Sequence, residues 1–142
     1  MTSRALPARL VLYDGVCGFC NGSVRWLIAR DRAARLSYAP LQGETADALR
    51  RRHPEIPMSH DAIVFVATDA AGSRVSLRSA ALFRVLRELP RPWRWLAAPR
   101  WLLPRSLCDA AYDAFARRRY RWFGRLEACP VPSAALRARF LA

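Results

Sequence analysis

The stretch Leu10 to Asp31, LVLYDGVCGFCNGSVRWLIARD, constrains this chain more than any other. Leu10 to Tyr13 is a short apolar run that predicts a buried strand. Asp14-Gly15 supplies a turn, and Cys17-x-x-Cys20 stands where that turn opens into a helix. At roughly 3.6 residues per turn, positions i and i+3 are neighbours, so the two sulfurs come near enough to bridge. The first N–H groups of a helix lack intrahelical partners, and with the helix dipole they favour a thiolate, the reactive form of cysteine.

The residues that follow distinguish the two sulfurs. Cys20, Val24, Leu27 and Ile28 fall at i, i+4, i+7 and i+8, so Cys20 heads the core-facing stripe of the helix and Cys17 is expected at an exposed tip. That asymmetry predicts an attacking Cys17 and a sheltered, resolving Cys20. Asp14 has two readings: a carboxylate that moves protons or modulates the thiols, or a side chain that caps the turn. The turn role is preferred, because a nearby negative charge opposes thiolate formation. Tyr13 and Phe19 flank the pair and are expected to offer an apolar docking surface, with Tyr13 also readable as core.

A chain of 142 residues, 53% hydrophobic and 25% charged, is expected to form one globular unit with a hydrophobic core. All 24 residues counted as Lys or Arg are arginine, against 11 acids, for a net charge of +13. Such a surface favours acidic partners, but the arginines are spread along the chain, so specific nucleic-acid binding is not expected. Met1 to Arg9 has no apolar core of a secretory leader, and Trp93 to Leu103 is interrupted by Arg94, Pro99 and Arg100, well short of the ~20 residues of a membrane span. A cytoplasmic protein is therefore expected, where Cys-x-x-Cys is more often catalytic or metal-binding than structural.

Along the rest of the chain, Leu36 to Ala39 predicts a second strand. Thr45 is expected to cap a helix reaching Arg52, and Ala62 to Ala67 gives the strongest strand signal. Ser73 to Leu77 pairs with it as a hairpin, and Ser79 is expected to cap a helix striped by Leu82, Val85, Leu86 and Leu89. Strand, helix, strand, helix, hairpin, helix is the order of an α/β domain, with a thioredoxin-like mixed sheet flanked by helices over residues 8–90. Residues 91–142 are expected to be a Trp- and Arg-rich helical extension packed on it. Its main helix runs from Arg105 to Phe123, its tryptophans are buried and its arginines are solvated. The alternative for this region is a surface for weak contact with anionic membrane or an acidic partner.

DGVCGFC at Asp14 to Cys20 resembles the signature of the DCC family of thiol-disulfide oxidoreductases, named for Asp-x-x-Cys-x-x-Cys. Asn21-Gly22-Ser23, Arg30-Asp31, Leu41-Gln42, Ser79-Ala80-Ala81, RYRWFG at Arg119 to Gly124, and Cys129 before a proline also look like family landmarks. The resemblance implies a thioredoxin-like fold and dithiol chemistry at Cys17 and Cys20, with no cofactor. Asp14, Gly15, Gly18, Phe19 and Asn21 are expected to shape the site, and Tyr13, Arg119, Tyr120 and Trp122 to offer substrate surface. Expected partners are a protein or small-molecule disulfide and an external thiol reductant, with the protein itself a monomer. The chain departs from thioredoxins in having Gly18-Phe19 between the cysteines and His60-Asp61, not proline, before Ala62.

Two other chemistries suit these residues less well. A metal-binding or membrane-associated module would use Cys17 and Cys20 as ligands, but Cys108 and Cys129 do not form the second Cys-x-x-Cys that zinc sites usually offer, and His53 and His60 read as surface residues. A cysteine phosphatase needs an arginine where Ser23 and Trp26 stand. Cys108, in register with Ala111, Tyr112 and Phe115, is expected to be an inert core thiol, and Cys129 either a loop residue or a third redox thiol.

Overall fold

The computed structural model describes residues 7–15, 17–31, 35–56, 63–90, 93–98, 102–123 and 139–141. The apolar run of the opening stretch becomes β1 (Arg9–Tyr13), an inner strand of a four-stranded sheet ordered β2-β1-β3-β4. β2 (Ser37–Pro40) pairs with β1 in parallel, Leu10 opposite Ser37, while β3 (Val64–Asp69) pairs antiparallel, Leu12 opposite Val64. A parallel neighbour requires a crossover, which α1 (Gly18–Arg30) provides. β4 (Gly72–Leu77) needs only a tight turn after β3, and Gly72 enters it at φ 125°, where a side chain is disfavoured.

Period-two alternation sends β1 side chains to both faces. Val11, Tyr13 and Phe65 meet Val24 and Leu27 of α1 and Ala81 and Val85 of α3 (Arg78–Arg87). Leu10, Leu12, Val64 and Val66 meet Ala46 and Leu49 of α2 (Glu44–Arg52) on the opposite face. Burial on both sides is why β1 and β3 read as continuous apolar runs. The result is an α/β fold of the thioredoxin-like kind.

Several boundaries move. Gly43, not Thr45, caps α2, which places Glu44 and Asp47 in the first turn where the helix dipole favours acids. Leu77 is the cap of α3, so Ser79 lies inside the helix, buried, and its hydroxyl donates to Asp109. Arg78 adopts φ 54°, held there by Asp113 at 2.9 Å and Asp109 at 3.7 Å. Both aspartates belong to α4 (Arg105–Phe123), whose span matches the sequence expectation. Tyr112 of α4 also takes the Ile63 N–H on its hydroxyl at 2.7 Å, so this helix is tied to the approach to β3 as well as to α3.

The tryptophans divide, contrary to the expectation that all are buried. Trp93, in a short 3-10 stretch (Trp93–Ala97), packs edge-on against Trp26, and the Arg30 guanidinium lies 4.1 and 4.6 Å from the two ring centroids. Trp95 and Trp122 are 63% and 57% exposed. One turn of 3-10 helix has a single inward face, which Trp93 occupies, and Trp122 leans on Phe115 of its own helix. Trp101 lies outside the described residues.

Residues 139–141 return to the sheet beside β2. Phe140 forms a parallel bridge with Tyr38, and the Leu141 N–H donates to the Tyr38 carbonyl at 2.8 Å. Arg139 reaches the buried Asp31 at 2.5 Å, and that carboxylate also accepts the N–H groups of Arg35 and Leu36 at 3.0 and 2.9 Å. Among the described residues, the buried Tyr38 hydroxyl has no hydrogen-bond partner. Burial pushes its pKa well above the ordinary tyrosine value, with Arg139 opposing and Asp31 reinforcing the shift.

Because the folded-state pKa is raised, the contribution of Tyr38 is intact below about pH 10 and is lost as pH climbs through the raised value. Tyr38→Phe is expected to raise stability by about 1 kcal/mol at neutral pH, because it deletes an unsatisfied hydroxyl. It is also expected to flatten the loss of stability at alkaline pH. Urea unfolding of both proteins at neutral and alkaline pH measures the two effects.

Candidate active site

The parallel pairing of β1 with β2 sets the site. The Leu41 N–H donates to the Tyr13 carbonyl at 2.7 Å, so the register runs one residue beyond β2 and brings Gln42 beside Asp14 and Gly15. The Gln42 amide engages both: its Oε1 accepts the Gly15 N–H at 3.0 Å, and its Nε2 donates to Asp14 Oδ1 at 2.7 Å. Asp14 is 1% exposed. Its carbonyl accepts the Cys17 N–H at 3.3 Å, so the turn is closed through the main chain while the carboxylate reaches across to Gln42.

Asn21 secures the other side. Its Nδ2 donates to the carbonyls of Gly15 at 2.8 Å and Cys17 at 2.9 Å, fixing the loop to the first turn of α1. Cys17 is the N-cap of that helix, and its Sγ accepts the Cys20 N–H at 3.3 Å. A sulfur thus occupies the position that a serine or aspartate oxygen commonly takes at a helix start.

The exposure of the two cysteines is the reverse of the sequence expectation. Cys17 is fully buried and Cys20 only half-buried. Cap geometry is the cause: Cys17 precedes the helical residues, its extended backbone (φ −84°, ψ 122°) turns Sγ back beneath the first turn, and Cys20 is left at the border of a groove.

That groove, of about 910 Å³, runs between the α1 and α3 layer and α4. Tyr13 and Asp14 lie at it beside Cys20, and Trp26, Phe83, Leu107 and Phe115 contribute to its walls. Cys108 is half-buried and lines the same groove, so it is not the enclosed core thiol expected. Gly18 is the first residue of α1, whereas the side chains of Phe19, Arg119 and Tyr120 lie outside the described residues. Trp122 is exposed and is not among the lining residues. Cys129, His60 and the segment before Ile63 also lie outside the described residues.

Gln42 is the site residue that sequence reasoning passed over. Its one signal was the Leu41-Gln42 pair among the family landmarks. His53 lies 3.4 Å from Glu55, and among the described residues no three His, Cys, Asp or Glu side chains gather as a metal site.

A strand ending in a buried Asp-Gly turn, with one cysteine capping the next helix and another one turn on, is thus mounted on a thioredoxin-like α/β scaffold. The chain matches the profile of the DCC1-like thiol-disulfide oxidoreductase family over residues 11–125, and it belongs to that family. It is 36% identical over 141 residues to the uncharacterized protein YuxK of Bacillus subtilis (strain 168), covering 99% of each chain. It is also 30% identical over 122 residues to the DCC family protein At1g52590, chloroplastic, of Arabidopsis thaliana, covering 86% of this chain and 69% of that one. No solved structure matches. No helix among the described residues is long and apolar enough to cross a membrane.

Brief alkylation of the folded protein, read by peptide mass spectrometry, is expected to label Cys20 well before Cys17. Gln42→Ala leaves the buried Asp14 carboxylate and the Gly15 N–H without the amide, and is expected to cost about 1–3 kcal/mol of stability. The same variant is expected to bring Cys17 labelling closer to that of Cys20.

Proposed function

We propose that the protein is a dithiol-disulfide oxidoreductase in which Cys20 meets the substrate and Cys17 resolves the intermediate. The observation that carries this reading is the contrast between a groove-lining Cys20 and a fully buried Cys17 whose Sγ lies 3.3 Å from the Cys20 nitrogen. In the reducing direction, the Cys20 thiolate attacks one sulfur of a substrate disulfide. The substrate S–S bond breaks, and the first substrate thiolate leaves and takes up a proton. Cys17, as thiolate, then attacks the Cys20 sulfur, so that the Cys17–Cys20 bond forms and the second substrate thiolate departs. The substrate gains two electrons and the protein dithiol loses two. An external thiol reductant returns the pair to its starting state.

Around the sulfurs, Asp14, Gly15, Gln42 and Asn21 hold the loop while the reacting bond changes hands. The apolar walls of the groove favour a disulfide flanked by hydrophobic groups, whether on a peptide or a small molecule. Tyr13 lies at the sulfur end of those walls and is assigned to substrate contact. A cytoplasmic setting, where thiol reductants keep such pairs reduced, suits this direction of flow.

Single substitutions separate the roles. Cys20→Ser is expected to lower disulfide reductase activity by ~100-fold or more, because the entering nucleophile is gone. Cys17→Ser is expected to give a comparable loss of turnover while accumulating a mixed disulfide between Cys20 and the substrate, visible by mass. A mixed disulfide that forms on Cys17 in Cys20→Ser, with none in Cys17→Ser, would reverse the assignment. Full activity in both variants would end the dithiol reading altogether.

A further inference from the structure

At the end of β1 remote from the cysteines, a pocket of about 310 Å³ is lined by five arginines. Arg9 comes from β1, Arg35 from the approach to β2, Arg84 and Arg87 from α3, and Arg94 from the 3-10 stretch. Glu88 is the one acid among the described lining residues. It lies 2.6 Å from Arg9 Nε and 3.9 Å from Arg35 Nη1. Among the described lining residues, one carboxylate facing five guanidiniums leaves four positive charges in excess.

Part of this cluster has a local reason. Arg84 and Arg87 stand in the last turn of α3, where the helix dipole favours cations, and the Arg84 guanidinium lies 5.8 Å from the Phe65 ring. That does not account for the convergence of Arg9, Arg35 and Arg94 from three other segments onto the same space, since like charges brought together repel. Guanidinium groups present planar forks of N–H donors that match the paired oxygens of phosphate. A cavity this small admits a phosphoryl group but not a folded macromolecule.

We propose that this pocket binds a polyvalent phosphate anion. Five residues of strand at about 3.3 Å each separate it from the Cys17 turn, so it is a site distinct from the dithiol and takes no part in the sulfur chemistry. Both a soluble phosphoester and a phospholipid headgroup carry the required group.

The test uses the intact protein and inorganic pyrophosphate, with sodium chloride of equal ionic strength as the control. At a hundredfold excess over Kd, pyrophosphate is expected to raise Tm by about 5–10 °C beyond the chloride control. Arg87→Gln combined with Arg94→Gln removes two exposed pocket residues and is expected to weaken binding at least ~10-fold, the worth of about 1.4 kcal/mol. Arg117→Gln with Arg118→Gln, which removes the same charge from α4, is expected to keep the full response, as is Cys17→Ser. An equal rise in chloride, or an equal loss in the two arginine double variants, overturns the proposal. Sedimentation with phosphatidylcholine vesicles containing phosphatidic acid, abolished by pyrophosphate, assigns the headgroup as the source. Saturable pyrophosphate binding without sedimentation assigns a soluble phosphoester. Sedimentation that pyrophosphate leaves intact, with no Tm response, also overturns it.

Discussion

The two-sided burial of β1 is the constraint on which the structure rests. A strand sandwiched between α2 on one face and α1 with α3 on the other is held in register, because a shift of one residue would exchange Leu10 and Leu12 with Val11 and Tyr13 and spoil the fit of side-chain shapes in both cores. Its carboxyl end is therefore a rigid platform. The parallel partner β2 ends on the same side, and that is why Leu41 and Gln42 arrive beside the Asp14-Gly15 turn although they are far away along the chain. Parallel pairing brings the carboxyl ends of neighbouring strands to one edge of a sheet, which is the usual place for ligands in open α/β folds.

On that platform the turn is held by side-chain amides. Gln42 grips it from the β2 side and Asn21 from the helix side, and each makes two hydrogen bonds to the loop. The arrangement fixes the main chain around Cys17 without placing a cation there among the described partners. Sulfur as the helix cap joins structure to reactivity: the atom that completes the first turn of α1 is also one of the two that are proposed to change their bonding. Of the two sulfurs, only that of Cys20 borders the apolar groove roofed by α4.

Local signals in the sequence were sufficient for the framework. The apolar run at Leu10 and the helix from Arg105 to Phe123 appear where expected, and the strand expected at Ala62 to Ala67 overlaps β3, which begins at Val64 and runs on to Asp69. The features that differed depend on side-chain direction or on contacts between distant segments. Helical periodicity locates Cys20 on a stripe but has no authority over Cys17, which precedes the helix and follows cap geometry instead. Ser79 has the composition of a cap, but Arg78 in a left-handed conformation starts the helix earlier and releases the serine to Asp109. The groove and the role of Gln42 arise from how α4 and β2 are laid against their neighbours, a relation that no window of the chain contains.

The bridge between Phe140 and Tyr38 has a consequence for the sheet as a whole. β2 is an outer strand, and Phe140 with the Leu141 N–H covers part of its open side, while the opposite outer strand, β4, carries Ser73, Arg74 and Ser76. Among the described residues, one margin is thus partly covered and the other interleaves polar side chains with Val75 and Leu77, which makes both poorer templates for a foreign strand. The short return of the chain at 139–141 acts as a hem along part of the β2 edge, occupying main-chain groups that an outer strand otherwise leaves open.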